Sequence, residues 1–117
     1  MTPSLAVDAL AALAQETRLK VFRLLVTAGP EGRAAGEIGE QLGIAANTLS
    51  FHFKTLTQAG LLQSRQDGRF VYYTANYAAM DDLIAFLTDN CCNGGACLPK
   101  TVAVNTVSKR RAKSTVG

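Results

Sequence analysis

The chain has 117 residues, 48% of them hydrophobic and 18% charged, with a formal net charge of +3. This length fits one small domain, and the composition is that of an ordinary globular protein rather than a disordered or fibrous one. No apolar run approaches the ~20 residues that a membrane-spanning helix needs. The N-terminus also lacks the basic segment of a signal peptide, so we expect a cytoplasmic protein without membrane contact.

The positive charge is unevenly distributed along the chain. Residues 1–89 contain seven Lys/Arg and all nine Asp/Glu, whereas residues 90–117 contain five Lys/Arg and no acidic residue. The basic character therefore belongs to the C-terminal segment and does not indicate a basic surface on the body. We predict one domain at residues 1–98 and a flexible basic tail at residues 99–117.

Four helices are predicted in the first half of the chain. An Ala- and Leu-rich helix covers residues 4–13, with Ser4 at its N-cap. A second helix starts at Glu16 and stops at Gly29, with apolar residues at helical spacing: Leu19, Val21, Phe22, Leu25 and Val26.

The next two predicted helices are short and close together. Ile38 and Leu42 are four residues apart, and Gly43 suits a C-cap. Leu49, Phe53 and Leu56 then follow at i, i+4 and i+7, which places them on one face of a helix that ends near Gly60. Two short helices joined by "GIAAN" are typical of a helix-turn-helix.

The hydrophobic period changes after this pair of helices. The segments "LLQSRQ" and "RFVYYTA" flank Asp67-Gly68, a strong two-residue hairpin signal. Tyr77–Asp89 is then predicted as a helix with an apolar stripe of Met80, Leu83, Ile84 and Leu87. This order predicts a mainly α fold with a β-hairpin wing, the winged helix-turn-helix.

Three segments resemble the ArsR-type metalloregulatory repressors: "LAALAQETRLKVFRLLV", "IAANTLSFHFKTLTQAGLL" and "RQDGRFVYYTA". The resemblance covers about residues 5–98, and "CCNGGAC" resembles the arsenic site of a subset of this family. It implies a homodimer that binds double-stranded operator DNA at an inverted repeat and leaves it when an inducer binds. We expect the first and last helices to form the dimer interface. The best-known members carry the inducer cysteines on the helix before the recognition helix, but here that stretch, "AAGEIGEQLGI", has none.

The fourth helix is the predicted DNA-reading element. Asn47 and Ser50 are candidates for contacts with base edges, and Thr48 and Lys54 for contacts with phosphates. Phe51 lies off the core stripe, and two interpretations stay open: it touches a thymine methyl group or packs on a neighbouring helix.

Three further polar residues have roles that are predicted from their positions in the chain. His52, the only histidine, is interpreted as a hydrogen-bonded side chain packed between helices rather than a ligand or a pH sensor. Arg65 and Arg69 flank the predicted wing tip, where we expect them to contact phosphates.

All three cysteines lie within seven residues: Cys91, Cys92 and Cys97. Thiolates select soft acceptors, and a structural Zn²⁺ site normally takes four ligands. Three sulfurs without a fourth ligand suit As(III) or Sb(III), which we predict as the inducer. Asn90, Asn93, Gly94 and Gly95 favour a backbone that leaves the helix and allows Cys97 to fold back.

The same residues also fit other functions. The thiols would also serve a redox-responsive repressor or a non-regulatory metal-binding protein. No catalytic constellation or phosphate-cradling glycine loop is present, so we predict no enzymatic activity and no catalytic cofactor.

Overall fold

The computed structural model describes residues 1–94 and confirms the winged helix-turn-helix. Its helices are α1 (Pro3–Leu13), α2 (Glu16–Ala28), α3 (Ala35–Leu42), α4 (Ala46–Gln58) and α5 (Tyr77–Leu87), and its strands are β1 (Arg33–Ala34), β2 (Leu62–Asp67) and β3 (Phe70–Ala75). Met1–Phe86 form one compact unit, and a second begins at Leu87. The predicted boundary between residues 98 and 99 lies outside the described residues.

Helix α1 begins one residue earlier than predicted. Thr2, not Ser4, is its N-cap, and its side-chain oxygen accepts a hydrogen bond of 3.2 Å from the backbone N–H of Leu5. Pro3 fills the first helical position, where its missing N–H costs no hydrogen bond. The Ser4 assignment was wrong because a proline directly after a threonine is itself a helix start signal.

The core lies where the helical periods converge. Val21, Phe22 and Leu25 of α2 pack with Ile38 of α3 and with the buried face of α4, formed by Leu49, Phe53 and Leu56. Leu19 is 43% exposed and does not belong to this core, contrary to the predicted stripe. The predicted buried face of α4 is confirmed in full.

The turn between α3 and α4 depends on two glycines. Gly43 ends α3 in the left-handed region at φ +68°, which glycine adopts at little cost. A Cβ on Gly39 would lie 3.1 Å from the carbonyl oxygen of Ile44 and 3.5 Å from Leu49 Cδ2. The small residue at position 39 thus lets the two helices of the motif approach closely.

The three strands form an antiparallel sheet in the order β1-β3-β2. Asp67 pairs with Phe70, so the two-residue loop is Gly68-Arg69, one position later than predicted. Gly68 has φ +64°, as the first loop position of a type II′ turn requires. The short strand β1, which pairs with Tyr72 and Tyr73, was not predicted.

Helix α5 starts at the predicted residue and ends two residues earlier, at Leu87 rather than Asp89. Asn76 caps its start by accepting a hydrogen bond from the Ala79 N–H. The Tyr77 hydroxyl donates to the carbonyl oxygens of Leu25 and Val26 at 3.2 and 3.0 Å, which ties α5 to the end of α2. Of the predicted apolar stripe, Leu83 is buried and Met80 is half-buried, whereas Ile84 and Leu87 are exposed.

Within residues 1–94, no helix combines the length and the apolar character that crossing a membrane requires.

Candidate nucleic-acid interface and thiol cluster

The face of α4 opposite the core is polar and exposed. The five residues predicted to contact DNA through this helix are all exposed: Asn47, Thr48, Ser50, Phe51 and Lys54. Four of them are spaced by three or four positions and so share one face of the helix: Asn47, Ser50, Phe51 and Lys54. The buried residues Leu49, Phe53 and Leu56 fix that orientation, since turning α4 outward would expose them.

The first turn of α4 has a local hydrogen bond that bears on the role of Asn47. The N-cap residue, Ala45, has a methyl side chain and makes no capping hydrogen bond to the helix. Instead, the Asn47 side-chain oxygen accepts a hydrogen bond of 2.9 Å from the Thr48 N–H. This bond leaves the NH₂ group of Asn47 available as a donor to a base or a phosphate.

Phe51 is 64% exposed. Its ring makes an edge contact with His52, with the centroids 5.6 Å apart. Packing on another helix of this chain does not account for so large an exposed apolar surface. Of the two interpretations, this exposure favours a contact with a thymine methyl group, which stays a prediction.

His52 lies on the buried side of α4 and is 8% exposed. Its Nδ1 atom is 3.3 Å from Nη1 of Arg18 on α2, and Nε of Arg18 donates a 2.6 Å hydrogen bond to the carbonyl oxygen of Ala12 on α1. Burial, and to a lesser extent the positive charge of Arg18, lowers the pKa of His52 below its ordinary value. This environment agrees with the prediction of a packed, hydrogen-bonded histidine.

The wing presents its arginines in two different settings. Arg65 belongs to β2, and its guanidinium lies 4.7 Å from the ring centroid of Tyr72, a cation–π contact that holds it against the strand. Arg69 is exposed in the two-residue loop at the tip. Phe70, next to Arg69, is 59% exposed, and it was not among the residues predicted for the interface. Its position directly after the glycine and the arginine of the hairpin loop could have indicated an exposed aromatic ring at the wing tip.

A cleft of about 630 Å³ lies between the helix-turn-helix and the wing. Ser50 and Phe53 of α4 line it opposite Val71 and Tyr73 of β3, and the last two lie on one face of the strand. The cleft places the wing beside the exposed face of α4 in one compact unit.

The chain leaves the α-helical path before the cysteines. Asn90 and Cys92 have φ values of +56° and +55°, and Cys91–Gly94 form a 3₁₀ turn. The sequence predicted that the backbone would leave the helix at Asn90, but it gave no such indication for Cys92. The break brings the sulfurs of Cys91 and Cys92 to 3.8 Å from each other.

The two cysteines in the described part of the chain differ in chemical state. Cys92 is a free, exposed thiol, whereas Cys91 is disulfide-bonded. Cys97 lies outside the described residues, and residues 1–94 contain no cluster of three or more metal-ligating side chains.

Exposed apolar side chains also lie on the first and last helices. They are Leu5, Val7 and Leu10 on α1, and Ile84 and Leu87 on α5. These are the two helices predicted to form a dimer interface.

A family model described as a helix-turn-helix domain matches residues 13–65. An uncharacterised HTH-type transcriptional regulator of Bacillus subtilis, YceK, is 46% identical over 61 residues, which cover 52% of this chain and 60% of that protein. A putative arsenical resistance operon repressor of Halobacterium salinarum is 39% identical over 67 residues, or 57% of this chain and 51% of that protein. The chain thus spans little more than half the length of these two curated relatives.

Solved structures match a larger part of the chain. A possible transcriptional regulator for arsenical resistance is 31% identical with a TM-score of 0.61, and the match covers 68% of this chain and 80% of the other. An ArsR-like regulator from Rhodococcus sp. RHA1 is 25% identical with a TM-score of 0.64, over 72% and 76% of the two chains. The homodimeric winged helix-turn-helix domain Mb0332 of Mycobacterium bovis shares the fold at 23% identity and a TM-score of 0.59, over 79% and 85%.

All these relatives whose role is named are transcriptional regulators, in agreement with the prediction that the chain is not an enzyme. Together with the helix order, the turn and the wing, they establish that the chain belongs to the ArsR-type winged helix-turn-helix transcriptional regulators.

Proposed function

We propose that the chain is a transcriptional repressor that binds operator DNA as a homodimer and is released when As(III) or Sb(III) binds Cys91, Cys92 and Cys97. The observation that carries the DNA-binding part is the exposed polar face of α4, which is held outward by the buried face of the same helix. The inducer part depends on the clustering of all three sulfurs directly after α5.

The α4 face fits the major groove. Ser50 and the NH₂ group of Asn47 are donors for base edges, and Phe51 offers an apolar contact to a thymine methyl group. Lys54 and Thr48 reach phosphates, which set affinity and register. Arg69 at the tip of the wing adds a second phosphate contact, since a hairpin beside a recognition helix lies over the adjacent backbone.

A homodimer accounts for the exposed apolar residues of α1 and α5, including Leu5, Leu10 and Ile84. Their burial between two copies would remove this surface from water, at about 25 cal/mol per Å². The Mycobacterium bovis neighbour is described as homodimeric. Two copies related by a two-fold axis would place their α4 helices in successive major grooves, about 34–36 Å apart, on an inverted repeat.

The sulfur geometry supports a shared soft ion. The Cys91 and Cys92 sulfurs are 3.8 Å apart, which is less than about 4.6 Å, twice the ~2.3 Å bond that a metal such as zinc makes to sulfur. One ion can therefore contact both sulfurs once the disulfide at Cys91 is reduced. Two of the relatives carry arsenical resistance in their names, which favours As(III) over other soft ions.

Release follows if the ion binds the DNA-free dimer more tightly than the DNA-bound one. Capture of the ion would constrain the segment after α5, and α5 carries part of the proposed dimer interface. A coupling free energy of about 1–3 kcal/mol would lower DNA affinity about 5- to 150-fold.

A thiol-redox-responsive repressor is the second candidate, and the disulfide at Cys91 favours it. Oxidation of two thiols by a peroxide forms one disulfide and reduces the peroxide to water, with both thiol protons transferred to oxygen. The same step removes sulfurs from the ion site, because only thiolates ligate the ion. The two inputs would therefore compete for the same residues.

A mobility shift with the promoter fragment of the chain's own gene tests the proposal. The reduced protein should bind the fragment, and arsenite should release it at concentrations that leave the Cys91→Ser/Cys92→Ser/Cys97→Ser variant bound. X-ray absorption should then count three sulfurs around arsenic. Release by peroxide but not by arsenite would favour the second candidate, and absence of binding to DNA at low salt would refute both.

A further inference from the structure

Arg18 joins three helices through two hydrogen bonds of one guanidinium. Nε donates to the carbonyl oxygen of Ala12, in the last turn of α1, and Nη1 lies 3.3 Å from Nδ1 of His52, on α4. Arg18 itself belongs to the first turn of α2, where its N–H is held by the side-chain oxygen of Gln15. The guanidinium therefore connects the end of α1 to the middle of the recognition helix.

The chemistry of the pair fixes the state of His52. A guanidinium has only donors, so Nδ1 of His52 must accept, and in the neutral ring the proton is then on Nε2. His52 is thereby held in one tautomer and one orientation. Its ring is also the edge partner of Phe51, which lies on the exposed face of α4.

Packing between α1 and α4 is interrupted beside this pair. A cleft of about 380 Å³ runs between the two helices, lined by Asp8 and Ala12 of α1, Arg18 of α2, and Thr55 and Gln58 of α4. Arg18 bridges the side of that cleft with directional bonds, which add to the buried apolar contacts of α4 in setting the rotation of that helix.

We propose that Arg18 and His52 are a positioning pair that transmits the placement of α1 to the recognition helix. Since α1 carries the exposed Leu5 and Leu10 of the proposed dimer interface, the pair would link dimer geometry to the rotation of α4. Neither residue touches DNA in this scheme. The inference extends the proposed function and requires it only for the DNA-binding readout.

Three variants separate the hydrogen bond from simple packing. His52→Leu removes the acceptor and keeps an apolar side chain, His52→Asn retains a side-chain oxygen near the position of Nδ1, and Arg18→Met keeps the stem but removes the donors. Leu56→Val is the matched control, because Leu56 is fully buried on the same helix and a loss of one methylene creates a cavity without disturbing the pair. Affinity for the promoter fragment is measured by fluorescence anisotropy, and the dimer fraction by sedimentation.

We expect His52→Leu and Arg18→Met each to weaken DNA binding about 5- to 50-fold with the dimer fraction unchanged. The Arg18→Met/His52→Leu double variant should be no weaker than either single one, as for residues that act through one contact. His52→Asn should recover most of the DNA affinity. Leu56→Val should lower the thermal midpoint and leave the DNA affinity unchanged.

The inference is overturned if His52→Leu binds like the wild type, if His52→Asn is as weak as His52→Leu, or if the two single losses multiply in the double variant. If the wild type binds no DNA, the proposed function fails, and hydrogen exchange then decides the pair. Arg18→Met and His52→Leu should speed exchange of the α4 amides more than that of the α3 amides. Equal changes in both helices would refute a role in positioning α4.

Discussion

The rings of Phe53 and Tyr73 stack with their centroids 4.0 Å apart and their planes at 18°. Phe53 belongs to the buried face of the recognition helix, and Tyr73 to the central strand of the sheet. The same strand residue pairs with Arg33 of β1 and Ser64 of β2. One aromatic contact thus joins the helix proposed to read DNA to all three strands of the wing sheet.

Truncation of this contact should destabilise the fold and loosen the wing. We expect Phe53→Ala to lower the free energy of unfolding by about 3–5 kcal/mol, because it removes a buried ring and leaves a cavity. Tyr73→Phe retains the stacked ring and is the control, with a much smaller loss. Urea unfolding followed by circular dichroism measures both, and equal stability of the two variants would contradict the role of the stack.

The groove face of α4 and the wing tip should differ in what they contribute to DNA binding. Asn47→Ala or Ser50→Ala should narrow the difference in affinity between the operator and unrelated DNA by about 1–3 kcal/mol. Arg69→Ala should instead weaken binding to every sequence and reduce the salt dependence by about one counterion. The measurement is affinity for both DNAs over a salt series, and unchanged affinity in all three variants would show that the recognition surface lies elsewhere.

A Cβ at position 32 would break the approach of β1 to β3. It would lie 2.2 Å from the backbone carbonyl oxygen of Tyr73, and Gly32 has φ +74°. Gly32→Ala therefore combines a clash with backbone with a strained φ, and we expect it to cost more than the ~1 kcal/mol of a typical substitution. Gly36→Ala is the control because a Cβ there meets nothing within 4 Å; a thermal midpoint for Gly32→Ala as high as that of the control would refute the argument.

Features that depend on neighbouring residues were predicted from the sequence, whereas features that depend on contacts between distant residues were not. The buried face of α4 was predictable because Leu49, Phe53 and Leu56 repeat with the period of a helix. The hairpin loop was placed one residue early, since Asp67-Gly68 and Gly68-Arg69 both provide a glycine in the loop. The register follows from the pairing of the whole of β2 with β3, from Leu62 opposite Ala75 to Asp67 opposite Phe70.

Contacts between distant residues could not be read from local pattern. Strand β1 exists because Arg33 pairs with Tyr73, and two residues give no period of their own. The contact of Arg18 with His52 spans 34 positions, and the sequence indicated only that His52 would be packed and hydrogen-bonded. The residues predicted to contact DNA through α4 lie on an exposed face as expected, because the polar face of an amphipathic helix follows from the same period as its core.

The stability of the protein should fall in mild acid because of His52. Burial and the charge of Arg18 lower the pKa of His52 below its ordinary value of 6.5, so the folded chain keeps the ring neutral while the unfolded chain takes up a proton as pH falls through that value. The unfolded state then binds more protons, and the free energy of unfolding decreases between that pH and the lower folded pKa.

Thermal unfolding of the wild type and His52→Asn across this range measures the effect. His52 is the only histidine in the chain, so the variant should show a flatter dependence between about pH 7 and 5. Parallel curves for the two proteins would show that another group governs the titration.

Reduction should decide whether arsenite acts at all. Cys92 is a free thiol and Cys91 is disulfide-bonded, and a sulfur in a disulfide cannot bind an ion as a thiolate. Arsenite should therefore release promoter DNA from protein kept in a monothiol reductant and have little effect on protein oxidised beforehand. Cys92→Ser should weaken the response and still allow the disulfide at Cys91, which separates arsenite capture from oxidation in one variant. A mobility shift with arsenite, peroxide and both measures the response, and equal release from the reduced and the oxidised wild type would place the inducer site away from these sulfurs.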